Sequence, residues 1–146
     1  MTKDVLIRIS GLQMMDQQDD TVEVITAGDY YKKNGKHYII YDEIMEGFEG
    51  NTRNTLKITP GMLDVQKHGA TSAHMMFEKD KKSMTRYSTP MGEMLVGVCT
   101  NQITLEEAED RLKVKVDYSL DINYEHVSEC NITVDVCSKG KGELRL

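Results

Sequence analysis

Apolar and polar residues alternate strictly from Arg111 to Asn123, and this period of two constrains the fold more than any other feature of the sequence. The apolar members are Leu112, Val114, Val116, Tyr118, Leu120 and Ile122. Successive side chains of a β-strand point to opposite faces, so the pattern indicates a strand with one buried face and one solvated face. The alternation recurs along most of the chain, whereas a sustained helical period does not, which predicts an all-β fold.

We predict about ten strands, near residues 5–9, 20–32, 36–44, 53–59, 62–68, 71–78, 82–89, 92–103, 111–123 and 130–136. The gaps suit hairpins, because none has the dozen or more residues of a parallel crossover. Asn34-Gly35 is the strongest turn signal, since this dipeptide readily supplies the two positive φ angles of a type I′ turn. Thr104 could cap a short helix from Leu105 to Asp110, although that stretch also fits a polar strand connection.

The number of strands favours closure of the sheet. An open sheet would leave two unpaired edges, and rolling it into a barrel removes them. With 146 residues the chain has the length of one domain, spanning 1–146. We therefore predict a closed or nearly closed antiparallel up-and-down barrel of about eight to ten strands, whose interior either fills with side chains or holds one small ligand.

Charge and composition disfavour two classes of partner. The net charge of −6 opposes attraction to phosphate backbones, so nucleic acid is not expected as a partner. No apolar run approaches the ~18 residues of a membrane helix, so a membrane is not expected either and the cytoplasm is the predicted location. Cys99, Cys130 and Cys137 form no CxxC pair, which argues against a disulfide framework or a zinc site.

The sequence contains no recognisable catalytic arrangement. His37, His68, His74 and His126 are scattered without metal-ligand spacing, and we expect them at the surface. There is no Gly-x-Ser-x-Gly elbow and no phosphate-cradling glycine loop. We therefore predict no catalytic residues, no metal and no cofactor, and a protein that is not an enzyme.

A motif in the second half of the chain resembles the YwiB-like family of bacterial proteins. It consists of Tyr87-Ser88-Thr89-Pro90-Met91-Gly92, the following strand Leu95-Val96-Gly97-Val98 with Thr100, then Tyr118-Ser119-Leu120 and Asn123. The resemblance implies a calycin-like barrel, similar to lipocalins and fatty-acid-binding proteins, with no established activity. The Arg-x-Tyr pair with which fatty-acid-binding barrels hold a carboxylate has no counterpart, because Arg86 and Tyr87 are adjacent and face opposite ways.

Four side chains are candidates for binding a ligand inside the barrel: Tyr38, Arg86, Tyr87 and Tyr118. Tyr118 lies on the apolar face of its strand, and a buried tyrosine hydroxyl usually needs a hydrogen-bond partner. Tyr38 alternates with Ile40, and Arg86 points inward only if Met84 marks the inner face. Each of these residues can equally be a core or rim residue that the protein itself satisfies.

Two functions remain open from the sequence. The first is a barrel that binds a small molecule, which requires an internal void with polar groups that lack protein partners. The second is a solid barrel that acts through its surface or as a homodimer, which requires an exposed apolar patch. Ile25, Ile39 and Tyr41 are the candidates for such a patch.

Overall fold

The computed structural model describes residues 3–11, 23–44 and 50–139, which form ten antiparallel strands. This confirms the predicted number of strands and the all-β class. No helix able to cross a membrane occurs among the residues described. The strands are β1 (Asp4–Ser10), β2 (Glu23–Lys33), β3 (Lys36–Ile44), β4 (Asn51–Thr59), β5 (Met62–Gly69), β6 (Ala73–Glu78), β7 (Lys82–Thr89), β8 (Gly92–Ala108), β9 (Arg111–Ile122) and β10 (Glu125–Ser138).

Local sequence explains where the strands turn and where one of them continues. Asn34 and Gly35 have φ angles of 53° and 77°, as the predicted type I′ turn requires. Of the two alternatives after Thr104, the short helix is wrong, because β8 continues to Ala108 in register with β9. The physical reason is that Ile103 and Leu105 extend the alternation and pack against the core.

The sheet is nearly closed, as predicted. Its strand order is β6-β5-β4-β3-β2-β1-β10-β9-β8-β7, so consecutive strands are neighbours except that β1 pairs with β10. Strands β6 and β7 are the two ends of this order, although a short turn joins them in the chain. Between them lies one isolated bridge, in which the backbone groups of Ser72 and Ser88 exchange hydrogen bonds of 2.8 and 2.9 Å.

A second interruption divides the barrel into two halves. The β2–β3 ladder runs only from the pair Asp29–Ile40 to the pair Lys33–Lys36. Beyond the pair Asp29–Ile40, β2 remains bonded to β1 and β3 remains bonded to β4. Among the described residues no ladder joins β2 to β3 there. We call this opening, between residues 23–28 and 41–44, the fork. It separates a six-stranded half (β7, β8, β9, β10, β1, β2) from a four-stranded half (β3, β4, β5, β6).

The hydrophobic core lies between the inner faces. Phe77 of β6 and Tyr118 of β9 meet across it, with ring centroids 5.0 Å apart in an edge-to-face arrangement. Burial of each large apolar side chain contributes about 1.5–3 kcal/mol, so this shared core is the main force that holds the halves together. The largest fully buried members are Tyr118, Phe77, Ile7, Ile39, Leu56, Ile58, Leu63, Met75, Leu112, Ile132, Val5 and Val65.

The inner and outer faces of β3 are exchanged relative to the sequence prediction. His37, Ile39 and Tyr41 are buried, whereas Tyr38 and Ile40 lie on the outer face. Both faces are apolar in the run 38–41, so the alternation gives no direction there. The predicted apolar patch is therefore wrong for Ile39 and Tyr41, and the predicted surface position is wrong for His37.

Candidate functional site

A lysine points into the barrel from the four-stranded half. Lys67 shares the inner face of β5 with Leu63 and Val65, and only 3% of it is exposed. Its ammonium group donates hydrogen bonds to Glu43 Oε1 at 3.0 Å and to Asn54 Oδ1 at 2.8 Å. Asn54 Nδ2 donates in turn to the same Glu43 oxygen at 3.0 Å. The three side chains form a closed triangle, which we call the Lys67 cluster.

The strand register brings these three residues together. Asn54 of β4 is paired with Lys67 of β5. On the other side of β4, Glu43 of β3 is paired with Thr52, one inward position away from Asn54. Directly opposed or diagonal residues on one face of an antiparallel sheet lie within side-chain reach, so adjacent strands are sufficient to build the triangle.

Hydroxyl groups lie beside the Lys67 cluster. Thr71 follows β5 and donates its backbone N–H to Thr52 Oγ1 at 2.9 Å. The Thr71 hydroxyl is itself buried and has no hydrogen-bond partner among the described residues. A buried hydroxyl without a partner is unfavourable by about 1–3 kcal/mol. Thr71 therefore offers a donor to any polar group that enters this end of the interior.

Two buried tyrosines also face the cluster. Burial, with a smaller contribution from the charge of Glu43, raises the pKa of Tyr87 to about 12. Burial raises the pKa of Tyr41 still further, and the nearby Glu43 and Tyr87 add to the shift. Both phenols therefore stay protonated at neutral pH and can donate hydrogen bonds.

The charges of the cluster are unequally accessible. The Lys67 side chain is 3% exposed, whereas that of Glu43 is 23% exposed. Removing two charges from water has a cost that their mutual attraction offsets only when their hydrogen bonds are well made. The accessible carboxylate of Glu43 lies on the stretch of β3 that borders the fork, so this is the side on which the cluster is exposed to solvent.

A second buried polar group lies near the other end of β3. The Tyr30 hydroxyl and His37 Nδ1 are 2.8 Å apart, and His37 Nε2 is 3.0 Å from Glu107 Oε1. Burial and the charge of Glu107 raise the pKa of Tyr30, so its hydroxyl keeps its proton at neutral pH. The Glu107 carboxylate can only accept a hydrogen bond, so in a neutral imidazole Nδ1 carries no proton and accepts from the Tyr30 hydroxyl. In neutral His37 the remaining proton then lies on Nε2 and is donated to Glu107. This chain connects β2, β3 and β8 and engages both imidazole nitrogens.

The structure places two of the four predicted ligand residues inside the barrel and two outside. Tyr87 and Tyr118 are 4% and 1% exposed. Tyr38 lies on the outer face and stacks on Tyr31 at 4.8 Å between ring centroids. Arg86 is also outside, 3.9 Å from Glu93, because Tyr87 rather than Met84 marks the inner face of β7. The inward orientation considered for Tyr38 and Arg86 is therefore wrong, and a role in binding a ligand stays a prediction for all four residues.

The sequence analysis missed every member of the Lys67 cluster. Charged and amide residues in an alternating strand are ordinarily assigned to the solvated face. The sequence nevertheless indicated their position, because Asn54 lies two and four residues from Leu56 and Ile58 and therefore on the same face of β4. Lys67 likewise lies on the same face of β5 as Leu63 and Val65.

Comparisons with known proteins agree with this architecture. A sequence family described as "Domain of unknown function (DUF1934)" matches residues 7–134. A Bacillus subtilis (strain 168) protein described as "Uncharacterized beta-barrel protein YwiB" is 26% identical over 122 residues, which cover 82% of this chain and 84% of that protein. A crystal structure of the ywiB protein from Bacillus subtilis superposes with a TM-score of 0.76 at 20% identity, covering 93% of this chain and 92% of that chain. At that identity the likeness is one of fold.

Proposed function

The chain belongs to the DUF1934 family of domains of unknown function, and from this premise we propose that its barrel binds an uncharged small molecule at the Lys67 cluster. The proposed role is binding without catalysis. The observation that carries the proposal is a buried lysine paired with a partly exposed glutamate on the inner face of a small barrel, beside a buried hydroxyl that has no partner among the described residues. Such a pair contributes little to stability compared with apolar side chains of the same volume, which favours a functional reason for its presence.

The donors around the cluster define the chemistry of the ligand. Lys67 has three N–H groups, and Glu43 and Asn54 accept two of them among the described residues. The third N–H, the Thr71 hydroxyl and the phenols of Tyr41 and Tyr87 are all donors. An oxygen acceptor on the ligand, such as a carbonyl, amide or ether oxygen, would match them.

The charge balance of the cluster argues for a neutral ligand. The Lys67 ammonium is already neutralised by the Glu43 carboxylate at 3.0 Å. A charged group arriving beside them would be buried without a partner of its own, which is strongly unfavourable. The apolar part of the ligand would pack against Leu56, Val65 and Met75, which line the same inner face.

Two further features support the rest of the proposal. The only described histidine that is buried, His37, is engaged with Tyr30 and Glu107 and lies six residues from Glu43 along β3, so no imidazole serves the cluster. Cys99 and Cys130 are free thiols, which suits a reducing compartment and so supports a cytoplasmic location.

Native mass spectrometry of the protein purified from its own host tests the proposal. We expect a stoichiometric adduct of low mass that denaturation releases, and its loss in the Lys67→Gln variant. Lys82→Gln is the matched control, because Lys82 makes an ion pair of the same length, 3.0 Å to Asp121, on the exposed surface. An adduct that persists in Lys67→Gln would contradict the proposed site.

The same spectra distinguish the alternative, an interaction module or homodimer with a solid barrel. That alternative predicts a dimer, or a protein partner, and no small molecule in either the wild type or the variants. Of the three residues predicted for the apolar patch that this alternative requires, only Ile25, 51% exposed, lies on the surface.

A further inference from the structure

The fork between β2 and β3 leads towards the Lys67 cluster from the outside. Beyond the pair Asp29–Ile40 the two strands keep their ladders with β1 and β4 but not with each other. Backbone N–H and C=O groups along the facing edges are therefore not used in a ladder between them. Such groups need water or another polar partner, and among the described residues no backbone ladder closes the fork.

A pocket of about 260 Å³ occupies the apex of the fork on the outer surface. Its walls come from both strands of the fork and from the neighbouring ends of β1 and β4. Arg53 and Asp42 at its rim form a 3.3 Å ion pair, but their side chains are 65% and 48% exposed. An ion pair this exposed contributes at most about 1 kcal/mol, so the rim can rearrange readily.

Gly28 lies between this pocket and the core. A Cβ atom at Gly28 would overlap Ile7 Cδ1 of the core, and would lie 2.7 Å from the Ile40 carbonyl oxygen and 3.3 Å from Tyr41 Cβ. The absence of a side chain lets the base of Tyr41 sit directly behind the apex. Tyr41 thus lines the pocket outside and belongs with Glu43 to the inner group of polar residues.

We propose that the fork is the entrance through which a small molecule reaches the Lys67 cluster, with the pocket at Gly28 as its outer vestibule and Tyr41 as the side chain that it must pass. This inference rests on the proposed function, which supplies the reason for an entrance. The exposure of Glu43, the cluster member on the fork side, agrees with it, because Lys67 on the far side is almost fully covered.

The seam between β6 and β7 is the competing route. Its inner side is covered by Met75 and Phe77, both with no exposed surface. The Ser72–Ser88 bridge holds one end, and the turn at the other end is bonded to β8 through Asp80 N–H and Thr100 O at 2.9 Å. The seam therefore has polar closures at both ends and an apolar lining, whereas the fork has an open pocket.

A disulfide across the fork tests the proposal without knowledge of the ligand. The β2–β3 register, continued past Asp29 and Ile40, places Ala27 opposite Asp42, and both are exposed on the outer face. In a background without the three native cysteines, Ala27→Cys with Asp42→Cys would close the fork when oxidised, because a disulfide holds Cα atoms about 4.4–6.8 Å apart. Tyr31→Cys with Tyr38→Cys is the matched control, since these residues face each other in the part of the same ladder that is already closed.

Acrylamide quenching of a tryptophan placed at Phe77 provides the readout, because the chain has no tryptophan of its own. We expect acrylamide to quench the fluorescence of the Phe77→Trp variant in its reduced form. Oxidation of the fork disulfide should lower the quenching rate several-fold. Oxidation of the control disulfide should leave the rate unchanged. If the engineered disulfide prevents folding, Ala27→Phe, which fills the vestibule, should lower the rate in the same direction.

Equal quenching with the fork open and closed would overturn the entrance and point to the β6–β7 seam. A tryptophan that acrylamide never reaches would also overturn it, since the wall would then have no route at all. Neither result depends on whether an adduct is found by mass spectrometry, so failure of the entrance and failure of the binding function remain distinguishable.

Discussion

The six-stranded half turns mainly aliphatic and aromatic side chains inward, whereas the four-stranded half turns a lysine, a glutamate, an asparagine and a histidine towards the same interior. Strands β9 and β10 supply an apolar inner wall in which Val114, Val116 and Ile132 are almost completely buried. Strands β3, β4 and β5 supply Glu43, Asn54 and Lys67. Both halves therefore provide apolar burial that stabilises the barrel, but the four-stranded half also carries charged and amide groups whose burial opposes it. That asymmetry is the basis of the proposed binding site.

The largest effect should come from the six-stranded half. Ile132→Ala removes a side chain with no exposed surface and should lower the free energy of unfolding by about 2–5 kcal/mol. Urea unfolding followed by circular dichroism measures this. The neighbouring Asn131→Ala is the control, since Asn131 is exposed and should change stability by no more than about 0.5 kcal/mol. Equal losses at the two positions would contradict the assigned inner face of β10.

Breaking the polar triangle should have the next largest effect. Lys67→Met removes the ammonium donor from the Glu43 carboxylate and from the Asn54 oxygen, which should lower the free energy of unfolding by about 1–3 kcal/mol. The loss is smaller than for a fully buried pair because the Glu43 side chain is 23% exposed. Adding Glu43→Gln should recover part of it, since the glutamine does not carry the charge that the ammonium offset. A Lys67→Met variant as stable as the wild type would show that the ion pair between Lys67 and Glu43 is not desolvated.

Alkaline pH should destabilise the barrel through its buried tyrosines. The folded protein holds the proton of Tyr87 up to a pKa of about 12, whereas the unfolded chain releases it near the ordinary value of 10.0. Between these values the unfolded state binds fewer protons, so stability falls as pH rises, by about 1.4 kcal/mol per pH unit for this group. Below pH 10 the contribution is fully present. Tyr41 and Tyr118 shift in the same direction and add to the fall.

Tyr87→Phe measures how much of the loss of stability at alkaline pH comes from the Tyr87 phenol. Between pH 10 and pH 12 the unfolding free energy of the wild type should fall more steeply than that of the variant, because the variant has no proton to lose at this position. Tyr124→Phe controls for removal of a hydroxyl at an exposed site. Parallel curves for wild type and Tyr87→Phe would mean that the Tyr87 phenol is not buried.

The smallest effect is expected at the Tyr30–His37–Glu107 chain. Tyr30→Phe removes the 2.8 Å hydrogen bond to His37 and should lower the free energy of unfolding by about 1 kcal/mol. The adduct seen by mass spectrometry should be unaffected, because this chain lies away from the Lys67 cluster. Loss of the adduct in Tyr30→Phe would shift the site towards His37.

The architecture could be predicted from the sequence because its determinants are local. The alternation around Val114 and Tyr118 fixes the inner face of β9, and Asn34-Gly35 fixes a hairpin. Only a few errors arose, each where the local signal was absent or ambiguous. In Tyr38-Ile39-Ile40-Tyr41 both faces are apolar, so the direction of β3 depended on the tertiary structure.

The candidate site could not be predicted for a different reason. Lys67, Asn54 and Glu43 come from three strands and acquire meaning only when the register places them together. Each of them alone resembles a solvated side chain. The fork was equally hidden, because the pattern of residues 23–28 and 41–44 does not differ from that of strands that pair along their whole length.

The central claim is that the polar residues of the four-stranded half serve binding and are not needed for the fold. The triple variant Glu43→Leu, Asn54→Leu, Lys67→Met tests this most directly, with unfolding and native mass spectrometry performed on the same sample. We predict a folded barrel that is at least as stable as the wild type, because apolar replacement of a buried ion pair is often neutral or stabilising by about 1–4 kcal/mol, and no bound small molecule. A variant that retains the adduct at full stoichiometry, or one that no longer folds, would contradict the account.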